Sequence, residues 1–248
     1  MTVAQEKPVG PPQTEPAEVV ALRVEFIDLI GHALRSPLTN ISVLAELLLD
    51  GELSDDARKP VEVIHYEAGR LARLIEGALD LSRAHHGQLS IRTRPVDLGQ
   101  LCACTVQRMA VVYPDRSWLL DVGERVPPVM GDAERIEHVL RNLLDNAARY
   151  APQGTDVVTS VVGAPDGDKV VCTVADAGPG IDPAEAERVF DRYHRLENEP
   201  GRTTHGHGLG LYIARRLTEL QGGRIWVDGF GHGTRFSFEL PAAGQAPG

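Results

Sequence analysis

The sequence predicts an α+β fold: an antiparallel helical hairpin that forms a dimeric four-helix bundle, followed by an α/β sandwich domain. Two observations carry this prediction. Apolar residues recur every three or four positions through two long segments near the start of the chain. Helix-like and strand-like segments then follow in mixed order towards the end of the 248-residue chain.

The two periodic segments form the predicted hairpin. The first apolar stripe runs from Leu22 to Leu48 and the second from Ala57 to Leu81, with the polar turn DGELSDD between them. Long helices joined by a short turn pack antiparallel. A single hairpin cannot bury a continuous apolar stripe alone, so we expect two copies to form a homodimer.

Each element of the second domain has a local signal. Asp97 is the expected N-cap of a helix over Leu98–Val112, and Asp132 caps the next helix. Further helices are expected near Ala184–Phe190 and over Leu209–Leu220. Apolar, β-branched segments bounded by turn residues predict the strands LSIRTRPV, SWLLDV, TDVVTSVVG, DKVVCTVAD, GRIWVDGF and GTRFSFELP.

Composition suggests where these domains begin and end. Residues 1–16 are rich in proline and polar residues, which predicts a disordered tail, and a second tail is expected over 242–248. The hairpin domain is predicted over residues 17–88. The sandwich domain is predicted over residues 89–241.

Charge and cysteine content exclude several classes of partner and site. The formal net charge of -10 argues against a nucleic-acid or anionic-membrane binder. No apolar run approaches the length of a membrane span, so we expect no span and a cytoplasmic location. The three cysteines do not make a disulfide framework, and we interpret Cys102 and Cys104 as small core residues.

Three short motifs stand out in the second domain. In NLLDNAARY, Asn142 and Asn146 lie four apart on one helix face, which favours a ligand-facing pair over two ordinary surface asparagines. In DAGPG, Asp176 leaves a strand into a sharp glycine turn. In GHGLG, glycines precede a helix whose first N–H groups could bind phosphate. Each motif alone is weak.

In this order the three motifs resemble the nucleotide-binding domain shared by gyrase, the Hsp90 chaperones, MutL and histidine kinases. VFDRYHR (189–195) stands where histidine kinases have their F box, and GHGTRFSF (231–238) matches their final glycine box. With GHALRSPL (31–38) upstream, residues 17 to 241 resemble the catalytic core of a sensor histidine kinase, whose second domain binds ATP.

The resemblance implies a site for ATP and Mg²⁺. Asn146 would bind the Mg²⁺ that bridges the phosphates, with Asn142 beside it. Arg149 would contact phosphate, Tyr150 would line the adenine pocket, and Asp176 would accept a hydrogen bond from the adenine amino group. Further nucleotide contacts are expected from Gly178, Gly180, Gly206, Gly208, Gly210, Leu211 and Thr234.

His32, in GHALRSPL, is the catalytic residue that the resemblance implies. A neutral imidazole is a competent nucleophile near pH 7 and forms a labile phosphoramidate. A lone histidine on a helix is more often a surface residue, and the ATP-site motifs reverse that expectation. The family usually has Glu or Asp next, which can accept the ring proton, whereas this chain has Ala33.

The sequence is compatible with three functions. The first is a homodimeric autokinase that passes the phosphoryl group from His32 to an aspartate of a response regulator receiver domain. Its input signal would come from a separate sensor protein or from a segment outside this sequence. Ala33 favours the second, a catalytically weak ATP-binding signalling scaffold. The third is a gyrase- or Hsp90-like ATPase, disfavoured because Asn142 replaces the glutamate that activates water in those relatives.

Overall fold

The computed structural model describes residues 31, 34, 36–51, 53–85, 91–194, 208–228 and 233–244. His32, Ala33 and Gly206 lie outside these residues. The chain divides into two compact units, Met1–Leu89 and Ser90–Gly248. Within the described ranges, no helix is long and apolar enough to cross a membrane.

Two helices are described in the first unit, α1 over residues 36–49 and α2 over Asp55–His85. The contacts between these helices show that they are antiparallel. His65 Nδ1 lies 3.2 Å from the Ser42 carbonyl oxygen, and Arg58 Nη1 donates to the Leu49 carbonyl oxygen at 3.4 Å. Residues later in α1 therefore contact residues earlier in α2, as in the predicted antiparallel hairpin.

One chain buries only part of the apolar surface of this hairpin. Leu38, Ala45, Ala68 and Leu79 are at most 9% exposed. The larger apolar side chains that are at least 42% exposed are Leu34, Ile41, Val43, Leu44, Leu47, Leu48, Val63, Ile64 and Leu71. Much of the predicted apolar stripe is thus uncovered within a single chain.

The second unit alternates strands with helices and two short 3-10 turns. Its elements are β1 Arg94–Val96, α3 Leu98–Val112, β2 Ser117–Val122, β3 Val129–Gly131, α4 Ala133–Tyr150, β4 Asp156–Gly163, β5 Lys169–Asp176, the 3-10 turns Pro183–Glu185 and Arg188–Phe190, α5 Gly210–Glu219, β6 Arg224–Asp228 and β7 Thr234–Pro241. The N-caps were predicted correctly: Asp97 accepts from Gln100 N at 2.9 Å, and Asp132 accepts from Glu134 N at 3.1 Å.

A five-stranded sheet in the order β2-β4-β5-β7-β6 forms one layer of this unit. β2 and β4 are parallel, and the other neighbours are antiparallel. The helices α3, α4 and α5 contribute fully buried side chains to the core, including Leu98, Leu140, Leu143, Leu144 and Leu217. Alternate sheet residues such as Val157, Val161, Val170 and Phe238 are buried as well. This layering is the predicted α/β sandwich.

One local expectation was confirmed only in part, and two were wrong. The strand predicted in LSIRTRPV is only three residues long. It pairs with β3, a strand that was not predicted because three residues are too few to show an alternating pattern. The helix expected near Ala184–Phe190 is two 3-10 turns. Cys102 is buried but Cys104 is exposed, because residues two apart on a helix point to opposite sides.

Candidate functional site

The helix α4 carries the asparagine pair. Asn142 and Asn146 are half-buried, and their spacing places them on the same face. Among the described residues, the Asn142 Nδ2 atom is buried and has no hydrogen-bond partner. A buried polar group without a partner is costly, so a ligand that accepts a hydrogen bond there would stabilise it.

The start of α5 lies beside Asn142. A Cβ atom added to Gly210 would lie 3.3 Å from Asn142 Oδ1, so a larger residue would crowd the amide. Gly208 has φ +63°, and an added Cβ would lie 2.7 Å from the Tyr193 carbonyl carbon. The N-cap residue Leu209 provides no side-chain cap for the first N–H groups of α5. Those N–H groups and the positive end of the helix suit an anion.

Asp176 is the last residue of β5, the central strand of the sheet. Gly178 N donates to its Oδ1 at 2.7 Å, and the Thr234 backbone N–H also donates to the carboxylate. Burial raises the pKa of Asp176 above its ordinary value, and the two backbone hydrogen bonds oppose that increase. The site therefore holds a half-buried, oriented acceptor.

Glycines allow three backbone segments to meet around Asp176. A Cβ atom on Gly178 would lie 2.6 Å from Asp176 Oδ1 and 3.1 Å from the Tyr150 carbonyl oxygen. Gly233 has φ +85°, and its N–H donates to the Gly178 carbonyl oxygen at 2.8 Å. Only glycine fits these positions without displacing the backbone.

Arg149 is held by an acidic neighbour on α4. Its Nη2 donates to Asp145 Oδ2 at 2.9 Å, and the side chains are 23% and 24% exposed. The hydroxyl of Tyr113, at the end of α3, donates to Asp145 Oδ1 at 2.8 Å. Both oxygens of this carboxylate are therefore engaged.

The structure brings six of the thirteen predicted site residues into two groups of contacts. Asn142 and Gly210 meet in one, and Asp176, Gly178, Thr234 and the backbone of Tyr150 meet in the other. The remaining residues are placed by their elements: Asn146 and Arg149 on α4, Gly180 after β5 with φ +78°, and Leu211 in the first turn of α5.

Sequence reasoning missed Asp145, Tyr113 and Gly233. The i, i+4 spacing of Asp145 and Arg149 was a readable signal for the first. No pattern along the chain links Tyr113 to Asp145, since 32 residues separate them.

The chemistry of these groups fits a nucleotide that carries a metal. A half-buried carboxylate can accept a hydrogen bond from an exocyclic amine, and an amide oxygen is an acceptable ligand for Mg²⁺. A guanidinium and helix N–H groups bind phosphate. The buried Asn142 Nδ2 is the observation that most directly indicates a missing partner.

Two family models match the two units. Residues 22–87 match the His Kinase A (phospho-acceptor) domain, and residues 131–244 match the histidine kinase-, DNA gyrase B- and HSP90-like ATPase. The chain belongs to the sensor histidine kinases. It spans both domains of the catalytic core of that family, in the order that the motifs predicted.

Curated relatives of this kinase core are longer. The adaptive-response sensory kinase SasA of Thermosynechococcus vestitus is 34% identical over 237 residues, covering 91% of this chain and 61% of the relative. The sensor histidine kinase WalK of Bacillus subtilis is 30% identical over 232 residues, covering 92% of this chain and 38% of the relative. The chain thus spans about three fifths or less of these proteins.

Solved structures of histidine kinases have a similar fold. Full-length ShkA in complex with AMPPNP is 28% identical with a TM-score of 0.68, over 90% of this chain and 47% of that one. The mycobacterial sensor histidine kinase MprB is 29% identical with a TM-score of 0.52, over 60% of this chain and 97% of that one.

Proposed function

We propose that this chain uses Mg-ATP to phosphorylate its own His32 and then passes the phosphoryl group to an aspartate in the receiver domain of a response regulator. The observation that carries the proposal is the buried Asn142 Nδ2 beside the first turn of α5, for which the described part of the chain offers no hydrogen-bond partner. A nucleotide phosphate at that helix terminus would supply an acceptor. The AMPPNP bound by the similar kinase ShkA supports the same class of ligand.

Each site residue has a role in this proposal. Asp176 accepts from the adenine amino group, and Tyr150 and Thr234 border the base. Arg149 and the backbone around Gly208, Gly210 and Leu211 bind the phosphates, with Gly206 in the same glycine motif. The turn of Gly178 and Gly180 shapes the wall beside the base. Asn146 would hold Mg²⁺, which neutralises phosphate charge when bound.

The proposed chemistry forms one bond and breaks another at the γ-phosphorus. A neutral ring nitrogen of His32 attacks, the bond to the β–γ bridging oxygen breaks, and ADP leaves. The ring proton passes to a base, and the phosphoramidate then donates to the receiver aspartate. Because Ala33 occupies the usual position of that base, another group or solvent must accept the proton.

We also propose that the kinase is a homodimer formed through the hairpin. The exposed apolar side chains of α1 and α2 support this, since contiguous apolar surface in a soluble protein usually marks an interface. The proposed domains are residues 17–88 and 89–241, and the proposed tails are 1–16 and 242–248. The ordered structure extends one residue into the second of these tails, since Ala242 is buried and forms a β-bridge with Val129. The proposed location is the cytoplasm, which supplies ATP.

Ala33 favours a second candidate, an ATP-binding scaffold that signals by shape without efficient phosphorylation. Incubation with γ-labelled ATP separates the candidates. Acid-labile, base-stable label that disappears in His32→Gln but persists in His65→Gln supports the kinase; His65 is the matched hairpin histidine. Nucleotide binding without label supports the scaffold, and release of free phosphate without label supports an ATPase.

The substitution Ala33→Glu tests the role of the missing acid. A general base contributes about 10²–10⁴-fold to a rate, and part of that gain is expected here. His32→Gln should abolish labelling in either background. Labelling that is no faster in Ala33→Glu would mean that another group already accepts the proton or that the scaffold candidate is correct.

A further inference from the structure

The proposed roles leave Asp145 unused, although it lies among the site residues on α4. Asn142, Asp145, Asn146 and Arg149 are spaced i, i+3, i+4 and i+7, so they share one face of the helix. The Asp145 carboxylate is about three-quarters buried, and it accepts one hydrogen bond from Tyr113 and one from Arg149. A carboxylate on the same helix face as a proposed phosphate contact would repel phosphate, and the hydrogen bonds of Asp145 indicate another role for it.

We propose that Tyr113 and Asp145 are positioning residues that hold the Arg149 guanidinium in place for the nucleotide phosphates. This inference rests on the proposed function, in which Arg149 contacts phosphate. Asp145 accepts from one of the five guanidinium N–H donors, and a bidentate phosphate contact needs two. The acid can therefore fix the side chain while it binds a second anion.

The advantage of such an arrangement is entropic. Arginine has a long side chain with many rotamers, and ordering it when the ligand binds reduces affinity. An i, i+4 ion pair that is only about a quarter exposed orders the side chain beforehand. The pair is net neutral, so Asp145 weakens the long-range attraction for phosphate and improves the local geometry instead.

The position of Tyr113 is itself fixed by the fold. Its backbone N–H donates to the Met109 carbonyl oxygen at 2.8 Å at the end of α3, and Trp118 Nε1 donates to its carbonyl oxygen at 3.3 Å. The rings of Tyr113 and Trp118 are 6.4 Å apart between centroids. The hydroxyl therefore approaches Asp145 from a second helix and directs the carboxylate towards Arg149.

Tyr113→Phe is the cleanest test because it removes one hydroxyl and changes no charge. Asp145→Asn would also remove a negative charge near the phosphates, and the two effects on affinity would oppose each other. In the full chain, calorimetry should give an AMPPNP affinity that is about three- to tenfold weaker for Tyr113→Phe, because the lost hydrogen bond is to Asp145 and only part of its free energy is expressed in ligand binding. Adenosine affinity, measured by ligand-observed NMR, should stay within about twofold, since adenosine has no phosphate.

A double-mutant cycle with Arg149→Ala tests whether the effect passes through the arginine. Tyr113→Phe should weaken AMPPNP binding no further in the Arg149→Ala background. Additive losses, or an equal loss of adenosine affinity, would overturn the positioning role and indicate a general change in the fold.

Glu137→Gln is the matched control. Arg108 Nη1 pairs with Glu137 Oε1, so this bond also joins α3 to α4 but does not involve Arg149. AMPPNP affinity should stay within about twofold. A loss as large as that of Tyr113→Phe would attribute the effect to helix packing and overturn the inference.

Asn146→Ala separates failure of this inference from failure of the proposed function. Unchanged AMPPNP affinity in Asn146→Ala overturns the proposed site, and the positioning role with it. Loss of affinity in Asn146→Ala with none in Tyr113→Phe overturns the positioning role alone.

Discussion

The two units of this chain leave different kinds of groups unsatisfied. In the hairpin they are apolar: Leu44 is 60% exposed and Leu47 is 63% exposed. In the sandwich the apolar core beside the site is closed, since Leu143 and Leu144 are 0% exposed. Among the residues that the structure describes beside the site, the group without a partner is polar, the buried Asn142 Nδ2.

This difference indicates what each unit binds. Exposed apolar surface gains free energy by covering a second apolar surface, and a second copy of the hairpin offers the same stripe. A buried polar atom without a partner gains only from a polar ligand. The hairpin is therefore incomplete without another chain, and the sandwich is complete as a fold but incomplete as a site.

The largest expected effect tests whether the sandwich is stable on its own. Leu143→Ala should reduce the free energy of unfolding of this unit by about 2–5 kcal/mol, because it opens a cavity in a fully buried position. Both tryptophans, Trp118 and Trp226, lie in this unit, so fluorescence during urea unfolding reports on it selectively. The midpoint should not depend on protein concentration.

Val111→Ala provides the control for that measurement. Val111 is 81% exposed near the end of α3, so its truncation should change stability by no more than about 0.5 kcal/mol. An equal loss in both variants would contradict the cavity argument for Leu143. A midpoint that rises with concentration would contradict the independent stability of the sandwich.

A smaller effect is expected in the hairpin, and it should depend on association. Leu47→Glu should weaken the dimer by about 10- to 100-fold, because the interface would bury a carboxylate from each chain. Sedimentation equilibrium measures the dissociation constant, and fluorescence should show an unchanged sandwich.

Glu46→Gln is the control for the charge, because Glu46 is an exposed neighbour on the same helix. Its dimer affinity should match that of the wild type. A wild-type chain that is monomeric at micromolar concentration would contradict the dimer, and an unaffected Leu47→Glu dimer would place the interface elsewhere.

Sequence reasoning predicted the features that depend on local chemistry. The helix period gave the hairpin, and the Asp97 and Asp132 caps were predicted because an N-cap acts within three residues. The three-residue strand β3 was missed because it is too short to show alternation. The Tyr113–Asp145 contact was missed because the fold alone brings these residues together.

The features of the site also divide into those that a short sequence motif predicts and those that only the fold brings together. Motif order identified α4, the Asp176 turn and the start of α5, because each motif is a short segment with a fixed backbone role. The close approach of Gly233 to Asp176, where an added Cβ would lie 2.6 Å from the Asp176 carbonyl oxygen, depends on the pairing of β5 with β7. No local pattern encodes such a pairing.

The smallest expected effect is a pH dependence of the stability of the sandwich that comes from Asp176, a polar group of the site. Burial raises the pKa of this carboxyl in the folded state above its ordinary 3.8. The folded state therefore holds the proton more tightly than the unfolded state. The stabilisation that this tighter proton binding contributes is complete below pH 3.8 and is lost as pH rises through the folded-state pKa of Asp176. Above that pKa the ionised carboxylate lowers the stability of the sandwich.

Asp176→Asn should remove that dependence. The amide oxygen can still accept from Gly178 N and Thr234 N, but the side chain no longer ionises. The stability of the variant minus that of the wild type, from urea unfolding at each pH, should rise from pH 3.8 through the folded-state pKa and then stay constant. Taking the difference cancels the titration of every other group that the substitution does not perturb. A difference independent of pH would show that burial does not disfavour the charge. If Asp176→Asn is more stable at neutral pH and also binds AMPPNP more weakly, the carboxylate improves ligand binding and lowers the stability of the fold. The sandwich would then be a stable fold whose site gains its favourable interactions only when the ligand binds.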